Sequence, residues 1–309
     1  MTQNLPNKIL VIKLGALGDF IQALGPMKAI RAFHPDARIT LLTTKPFEEI
    51  AKKSGYFNDI IIDKRPKFFQ LFDWINLRKT LNNGNFSRVY DLQNNDRTNI
   101  YFKLFSPKPE WVGVAEGASH RNTSPDRIAG LAFDGHVQTL GLAGINNIAI
   151  DTMDWIEDET AGFKLSSSYA LIVPGSAPSR PEKRWPAAYY AALCQSLAAQ
   201  NIQPVILGTN DEQDITNQIA ANCPHAVNLT GKTNLFDIVA LARKAKLAVG
   251  NDTGPMHMIA PTGCPTIVLF SKNSNPKRHA PLGSDVHTIQ KDNLEDLKPE
   301  EILEKINSL

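Results

Sequence analysis

The sequence predicts an α/β protein built as two parallel-sheet halves. Three observations carry this. Short apolar runs alternate with amphipathic, helix-length runs from residue 8 into the 140s. The same alternation restarts near residue 169. Between them the pattern breaks into an acidic, then polar stretch, "DTMDWIEDETAGFKLSSS" at 151–168, which reads as a linker. Strands alternating with helical patterns form βαβ units, and so parallel sheets. The expected boundaries are 1–155 for the first half, 156–168 for the linker and 169–309 for the second half with its terminal helix. Two such Rossmann-like halves are expected to face each other across a cleft, the usual place for a ligand.

In the first half, "KILVIKL" is followed by the helix-like "FIQALGPMKAIRAF", "RITLLTT" by "PFEEIAKK", and "DIIID" by "FFQLFDWINLRKTL". "RVYDLQ", "WVGV" and "SPDRIAGLAFDGHVQTLGL" complete it. In the second half, "YALIVPG" leads through a loop to "PAAYYAALCQSLAAQ", "PVILG" to "DEQDITNQIAANC", and "AVNL" to "NLFDIVALARKA". "KLAVGN" leads to "GPMHMIAP", and "PTIVLF" follows. "NLEDLKPEEILEKINSL" closes the chain as a helix, with packing back on the first half as one option for it.

The bulk numbers exclude several classes. The chain has 309 residues, 42% hydrophobic and 21% charged, a balance that supports a sizeable core without staples. A net charge of +2 does not imply a wholesale nucleic-acid-binding surface. Cys194, Cys223 and Cys264 are scattered without metal-ligand spacing, which fits reduced thiols in a cytoplasm. "MTQNLPNK" lacks the features of a signal peptide, and no run of about 18 apolar residues is present. The expectation is a cytoplasmic protein, with attachment to a membrane surface open.

Four stretches carry candidate chemistry. In "KLGALGDFIQALGP", at 13–26, an apolar strand meets a glycine turn that delivers Asp19 at the mouth of a helix. Asp19 reads either as a helix N-cap or as a base held at the carboxyl edge of a parallel sheet. In "GNDTGPMHMIAPTGCP", at 250–265, Asp252 or Thr253 can cap the next helix, Gly254 permits close approach and Pro255 suits the first turn. A helix start of this kind suits an anion, with His257 about one turn in. In "PGSAPSRPEKRWP", at 174–186, a small-residue loop follows a strand and ends in Lys183, a cation suited to a phosphate leaving group or merely to solvent. In "KRPKFFQLFDWINLRKTL", at 64–81, Lys64, Arg65 and Lys67 sit beside Phe68, Phe69, Phe72 and Trp74. That interleaving suits an anionic membrane surface or an anionic lipid, or else an amphipathic core helix with a basic loop. Arg97 and Arg121 are placed in loops after later strands. Dinucleotide and P-loop fingerprints, a nucleophile elbow and metal-ligand motifs are missing, as is a DxD pair placed to hold a metal–diphosphate complex.

Taken together, these segments resemble glycosyltransferase family 9, the bacterial ADP-heptose:lipopolysaccharide heptosyltransferases. "ILVIKLGALGDFIQALGPMKAIR" is similar to its opening motif and "YDLQ" to its central first-domain strand. "PGSAPSRPEKRWP", "ILGTNDEQ" and "NLTGKTNLFDIVALARKAKLAVGNDTGPMHMIAPTGCPTIVLF" fall in its order and spacing. The resemblance implies a GT-B fold, with acceptor in the first domain and nucleotide sugar in the second. It places the general base at Asp19 and the phosphate-contacting lysine at Lys183. It places donor contacts at Asp252, Thr253, Gly254 and His257, and its base-edging loop at 231–234; Gly15, Gly18, Ser176, Ser179, Thr233, Pro255 and Met256 complete the donor-side candidates. The family's ribose-binding acidic residue falls on Asn210, a departure, with Asp211 and Glu212 immediately after. Lys64, Arg65, Lys67, Arg97 and Arg121 are the acceptor-side candidates.

The resulting expectation is an inverting, metal-independent glycosyltransferase of cell-envelope assembly. It would work at the cytoplasmic face of the inner membrane in peripheral contact with it. Its donor would be ADP-heptose by default, its acceptor an anionic lipid-linked glycan, and nucleic acid no partner. The alternatives are a family relative using another nucleotide sugar, or a non-catalytic nucleotide- or glycan-binding protein on the same scaffold.

Overall fold

The structure is a computed structural model that describes residues 7–157, 162–177 and 179–309. The start of "MTQNLPNK", residues 158–161 of the expected linker and Pro178 of the Lys183 loop lie outside the described residues. The chain divides into two compact units, Met1–Asp151 and Thr152–Leu309.

The first unit carries β1 (Lys8–Ile12), β2 (Arg38–Thr43), β3 (Asp59–Ile62), β4 (Arg88–Asp91), β5 (Glu110–Gly113) and β6 (His120–Arg121). The second carries β7 (Tyr169–Val173), β8 (Gln203–Ile206), β9 (Val227–Asn228), β10 (Leu247–Asn251), β11 (Thr266–Ser271) and β12 (Val286–Lys291). Their orders are β3-β2-β1-β4-β5-β6 and β12-β11-β10-β7-β8-β9. Every ladder is parallel. The two windings are the same: each sheet starts at its centre, grows one way for three strands, then crosses to the other side. The α/β class and its two parallel sheets are therefore as the sequence predicts. Central strands buried on both faces explain the near-continuous apolar runs: β7, "YALIV", is buried at every position.

Each winding creates a switch point, where the chain leaves the first and fourth strands in opposite directions and opens a crevice. In the first unit this lies between β1 and β4, with Ile12 opposite Asp91. In the second it lies between β7 and β10, with Val173 opposite Gly250.

Each unit has its own core. In the first, Leu10, Ile12, Val89, Phe102 and Trp111 pack together. In the second, Ile172, Trp185, Leu193, Leu197 and Leu269 do so. The terminal helix Pro299–Asn307 adds Ile302 and Ile306 to this second core, and the Trp185 indole donates to the Leu297 carbonyl at 2.8 Å. Burying side chains of this size contributes about 1.5–3 kcal/mol each. The apolar face of that helix is thus occupied inside its own unit, against the option that it packs back on the first half.

Candidate active site

In the second unit, the loop after β7 is clamped to the end of β10 by one buried amide. Asn251 Oδ1 accepts from the Trp185 amide and from the Tyr190 hydroxyl, both at 3.0 Å. Its Nδ2 donates to the carbonyls of Pro174 at 2.7 Å and Gly175 at 3.3 Å. All four of its hydrogen-bonding positions are used, so the loop is held in one geometry. Arg184 tightens it further, donating to Ser176 Oγ at 3.1 Å and to the Ser176 carbonyl at 3.2 Å. Ser176 is buried, and Ser179 is exposed.

The same loop then delivers Lys183 to the loop after β10. Lys183 Nζ meets Asp252 Oδ2 at 2.6 Å, with only 18% and 8% of the two side chains exposed. Ser274 Oγ, from the loop after β11, donates to the same oxygen at 2.5 Å. Asp252 therefore does not cap the following helix. Thr253 holds the N-cap position, without a side-chain cap bond, and Gly254 and Pro255 open the helix Gly254–Ile259. Met256 and His257 are buried in that helix. Gly250 permits the close packing here, since a Cβ on it would sit 2.6 Å from Met256 Sδ and 2.7 Å from Val173 Cβ. Ser274 escaped the sequence reading. The signal that finds it is its place just after a central strand of a parallel sheet.

The loops after β8 and β9 meet at the position of the family's acidic residue. Gly231 has a positive φ of 69°, and a Cβ on it would lie 2.1 Å from Asn210 Oδ1. Asn210 is exposed, and Thr233, two residues beyond Gly231, is half-buried. The carboxylate of this loop that turns toward the β7 loop is Glu212. Its Oε2 accepts from the Thr209 amide at 2.8 Å, while Oε1 covers Gly175 so closely that a Cβ there would lie 1.6 Å away.

In the first unit the loop after β1 bears on the cap reading of Asp19. Gly15 takes φ +117°, a region closed to most side chains, and a Cβ on it would lie 2.7 Å from Phe47. Phe47 in turn stacks on Phe20, with ring centroids 4.5 Å apart. The N-cap of the helix Leu17–Gln22 is Ala16, which makes no side-chain cap bond. Gly18 is the second residue of that helix and Asp19 the third, in the first turn and half-buried. Asp19 is not the cap; it sits in the first turn of the helix that follows β1.

Beneath it lie charges that the sequence reading passed over. Lys13 is 3% exposed and donates from Nζ to the Leu92 carbonyl at 3.0 Å. Burial lowers its pKa, and attraction to Asp19 and Asp91 opposes that. Asp91 is fully buried. One of its oxygens accepts from the amides of Gln93 at 3.0 Å and Asn94 at 2.9 Å, and the other has no partner. Burial pushes its pKa up to about 6. Burial also drives the His136 imidazole well below its ordinary value, and Lys13 adds to the effect. The readable signal for this group is an ionisable residue at the inner end of an apolar strand.

The acceptor-side candidates divide. Lys64, Arg65 and Lys67 are exposed on the loop after β3. The Arg65 amide donates to Asp63 at 2.7 Å, and the Tyr101 hydroxyl to the other oxygen of Asp63 at 2.6 Å. Arg97 reaches across to this loop, donating to the Pro66 carbonyl at 3.2 Å and to the Tyr101 hydroxyl at 3.3 Å. Arg121 is on strand β6 rather than in a loop, at the opposite side of the sheet from β3, and donates to the Val114 carbonyl at 3.3 Å. The structure brings Arg97 to the basic loop and does not bring Arg121 there.

Comparison with known proteins follows the same lines. A sequence profile described as glycosyltransferase family 9 (heptosyltransferase) matches residues 147–307. The chain is 26% identical over 297 residues to a lipopolysaccharide core heptosyltransferase of Haemophilus influenzae, covering 90% of this chain and 83% of that protein. The fold is similar to a family 9 glycosyl transferase from Veillonella parvula, with TM-score 0.82 and 19% identity, covering 98% of this chain and 96% of that one. It is also similar to the ADP-heptose lipopolysaccharide heptosyltransferase II of Escherichia coli, with TM-score 0.75 and 23% identity, covering 97% and 98%. These structural likenesses speak to the fold, the GT-B class.

Proposed function

The chain belongs to glycosyltransferase family 9 and is a glycosyltransferase, and from that premise we propose that it moves heptose from ADP-heptose to an anionic, lipid-linked glycan of the lipopolysaccharide core, with inversion and without a metal. The observation that supports this best is that each unit carries a switch point of its own. One presents Asp19, not engaged as a helix cap, and the other presents the Lys183–Asp252–Ser274 group.

In this reading Asp19 accepts the proton of the attacking acceptor hydroxyl while that oxygen bonds to the anomeric carbon. The bond to the diphosphate oxygen breaks on the opposite face with its electron pair, so one displacement inverts the configuration. Lys183 meets the charge that develops on the departing diphosphate, and Asp252 and Ser274 hold its ammonium at the loop edge. The loops bearing Ser176, Ser179, Asn210, Thr233 and Gly254 border the nucleoside. Lys64, Arg65 and Lys67, on the loop that Arg97 holds, meet the anionic acceptor. Among the described residues no helix is long and apolar enough to cross a membrane. The proposed location, which follows from the lipid-linked acceptor, is the cytoplasmic face of the inner membrane, in peripheral contact.

Calorimetry of ADP, UDP, GDP and CMP against the purified protein tests the donor. ADP is expected to bind most tightly, and a clear preference for another nucleotide overturns the ADP assignment. Because Lys183 supplies the cation in this scheme, transfer is expected to survive excess EDTA. A loss restored by Mg²⁺ or Mn²⁺ overturns the metal-free mechanism.

A further inference from the structure

We propose that the first unit carries a built membrane-insertion knob, made by Phe68, Phe69, Leu71, Phe72 and Ile75, which enters the headgroup region of an anionic bilayer. It rests on the reading above that the acceptor is lipid-linked, and deepens it by naming the surface that engages the lipid. The sequence leaves these side chains divided between core and surface. The structure places them outside: Phe68 is 94% exposed, Phe69 75%, Leu71 68%, Phe72 84% and Ile75 60%. Five large apolar side chains exposed within eight residues form a continuous patch of the kind soluble surfaces seldom carry without a partner.

The helix Leu71–Asn83 is apolar on two faces in its first turns. Leu77 and Leu81 are buried in the first unit's core, so the fold does not need Leu71, Phe72 or Ile75. The preceding loop is tied down rather than loose. The Lys67 amide donates to Gln70 Oε1 at 2.6 Å, and the Lys67 carbonyl accepts from the Gln70 amide at 2.9 Å and the Trp74 indole at 3.0 Å. The Gln70 carbonyl accepts from the Trp74 amide at 3.1 Å, and the Pro66 carbonyl accepts from Arg97. These bonds fix the loop that presents the phenyl rings, so the knob is a defined feature of the surface.

Charge selects the occupant. Lys64, Arg65 and Lys67 precede the knob, and Arg78 and Lys79 follow it one turn beyond Ile75, all exposed. Asp73 is the one carboxylate within 64–80, and it is half-buried. A second copy of the chain would set these cations against their equivalents, whereas anionic headgroups complement them. An apolar centre framed by basic residues is the arrangement of a segment seated at the interface, about 5–10 Å deep. Insertion also distinguishes this from purely electrostatic contact, because salt screens the cations and not the phenyl rings.

The test is sedimentation of the whole protein with phosphatidylethanolamine/phosphatidylglycerol vesicles, at low and high salt, without donor or acceptor. The wild type is expected to bind, more weakly but measurably at high salt. A Phe68→Ser/Phe69→Ser/Phe72→Ser variant is expected to lose at least about tenfold in binding at both salts. Lys64→Ala/Arg65→Ala/Lys67→Ala is expected to lose mainly the low-salt gain. Both should keep the wild-type melting temperature and nucleotide affinity. Unchanged vesicle binding by the phenylalanine variant overturns the proposal. So does a wild type that self-associates through these residues and ignores vesicles. Transfer to a de-acylated, water-soluble acceptor should be equal in wild type and the phenylalanine variant, whose substituted residues make no acceptor contact in the scheme above. If the wild type fails to act on any acceptor yet binds vesicles through the phenylalanines, the proposed function falls and the knob stands.

Discussion

At the second unit's switch point, Asn251 uses every donor and acceptor it has, and Asp252 receives both Lys183 and Ser274. At the first unit's, Asp91 keeps one buried oxygen without a partner, and Thr43 Oγ1, Asn94 Oδ1 and His136 Nε2 are left in the same condition. Two sheets wound alike have thus been finished differently. A buried polar atom left unpaired costs about 1–3 kcal/mol unless a ligand or an ordered water completes it. A fully satisfied loop is a preorganised site, suited to a ligand that changes little from one turnover to the next. An edge with unpaired polar atoms below and bare aromatics beside it is suited to being completed by what it binds. On the proposed function, these are the nucleotide side and the glycolipid side.

The sharpest way to break this comparison is to remove the one group the first edge is said to contribute to chemistry. Asp19→Asn keeps the shape of the first helical turn and removes proton acceptance. Transfer is expected to fall by at least about 100-fold, the range typical of a lost general base. Nucleotide affinity should stay within about twofold, because Asp19 belongs to the first unit and the donor loops to the second. Steady-state transfer and calorimetry on the same preparation check this. A variant that keeps a tenth or more of wild-type turnover removes the base role.

On the second edge the expected effect is smaller and falls on binding. Lys183→Ala should weaken ADP by roughly 10- to 100-fold, equivalent to about 1.5–3 kcal/mol for a charge-assisted contact, and adenosine hardly at all. The structure adds a control. Removing Lys183 leaves Asp252 with Ser274 and an unbalanced charge. Lys183→Ala/Asp252→Asn relieves that, so titrating both variants separates a phosphate contact from a merely repelling carboxylate. If the double variant binds ADP as the wild type does, Lys183 is not on the phosphates.

The same contrast governs what could be read from the sequence. Central strands buried on both faces appear as apolar runs, and loops with glycine and proline punctuate them, so the two halves are legible. β12, "VHTIQK", escaped because its alternating partial exposure never forms such a run, and β6 because it is two residues long. The second site was legible where a motif sits in one stretch, as with Asp252 to His257. Ser274 was not, since only the β10–β11 pairing brings its loop to Asp252. Lys13 and Asp91 look like strand residues, 78 positions apart, and become neighbours only when β1 pairs with β4. Phe68, Phe69 and Phe72 fall at a spacing that suits a core and a surface equally, so only their exposure decides.

The smallest expected effect concerns the buried charge beneath the first edge. Asp91 has its pKa raised by burial to about 6 from an ordinary 3.8. Its folded-state value lies above its unfolded-state value, so its contribution is fully present below about pH 4 and is lost as pH rises through about 6. In that window the unfolded chain ionises its carboxyl in water, while the folded chain must place the charge in a dry site. The Asn94 amide, the Thr98 hydroxyl, the Gln93 amide and the Lys13 ammonium offset that cost in part. Lys13 is shifted the opposite way, down from 10.5, so any slope it adds runs opposite to that of Asp91, and it is present in both proteins. Asp91→Asn keeps an acceptor for the two amides, removes the titration and leaves Asp19 as the carboxylate that attracts Lys13. The stability of the wild type relative to this variant should therefore fall between pH 4 and 7 by about 1–3 kcal/mol, a few degrees in melting temperature. Chemical denaturation of both proteins across that range measures it. A difference that stays level, or rises with pH, would show that Asp91 is as well satisfied as Asp252, and that the two edges are not finished differently after all.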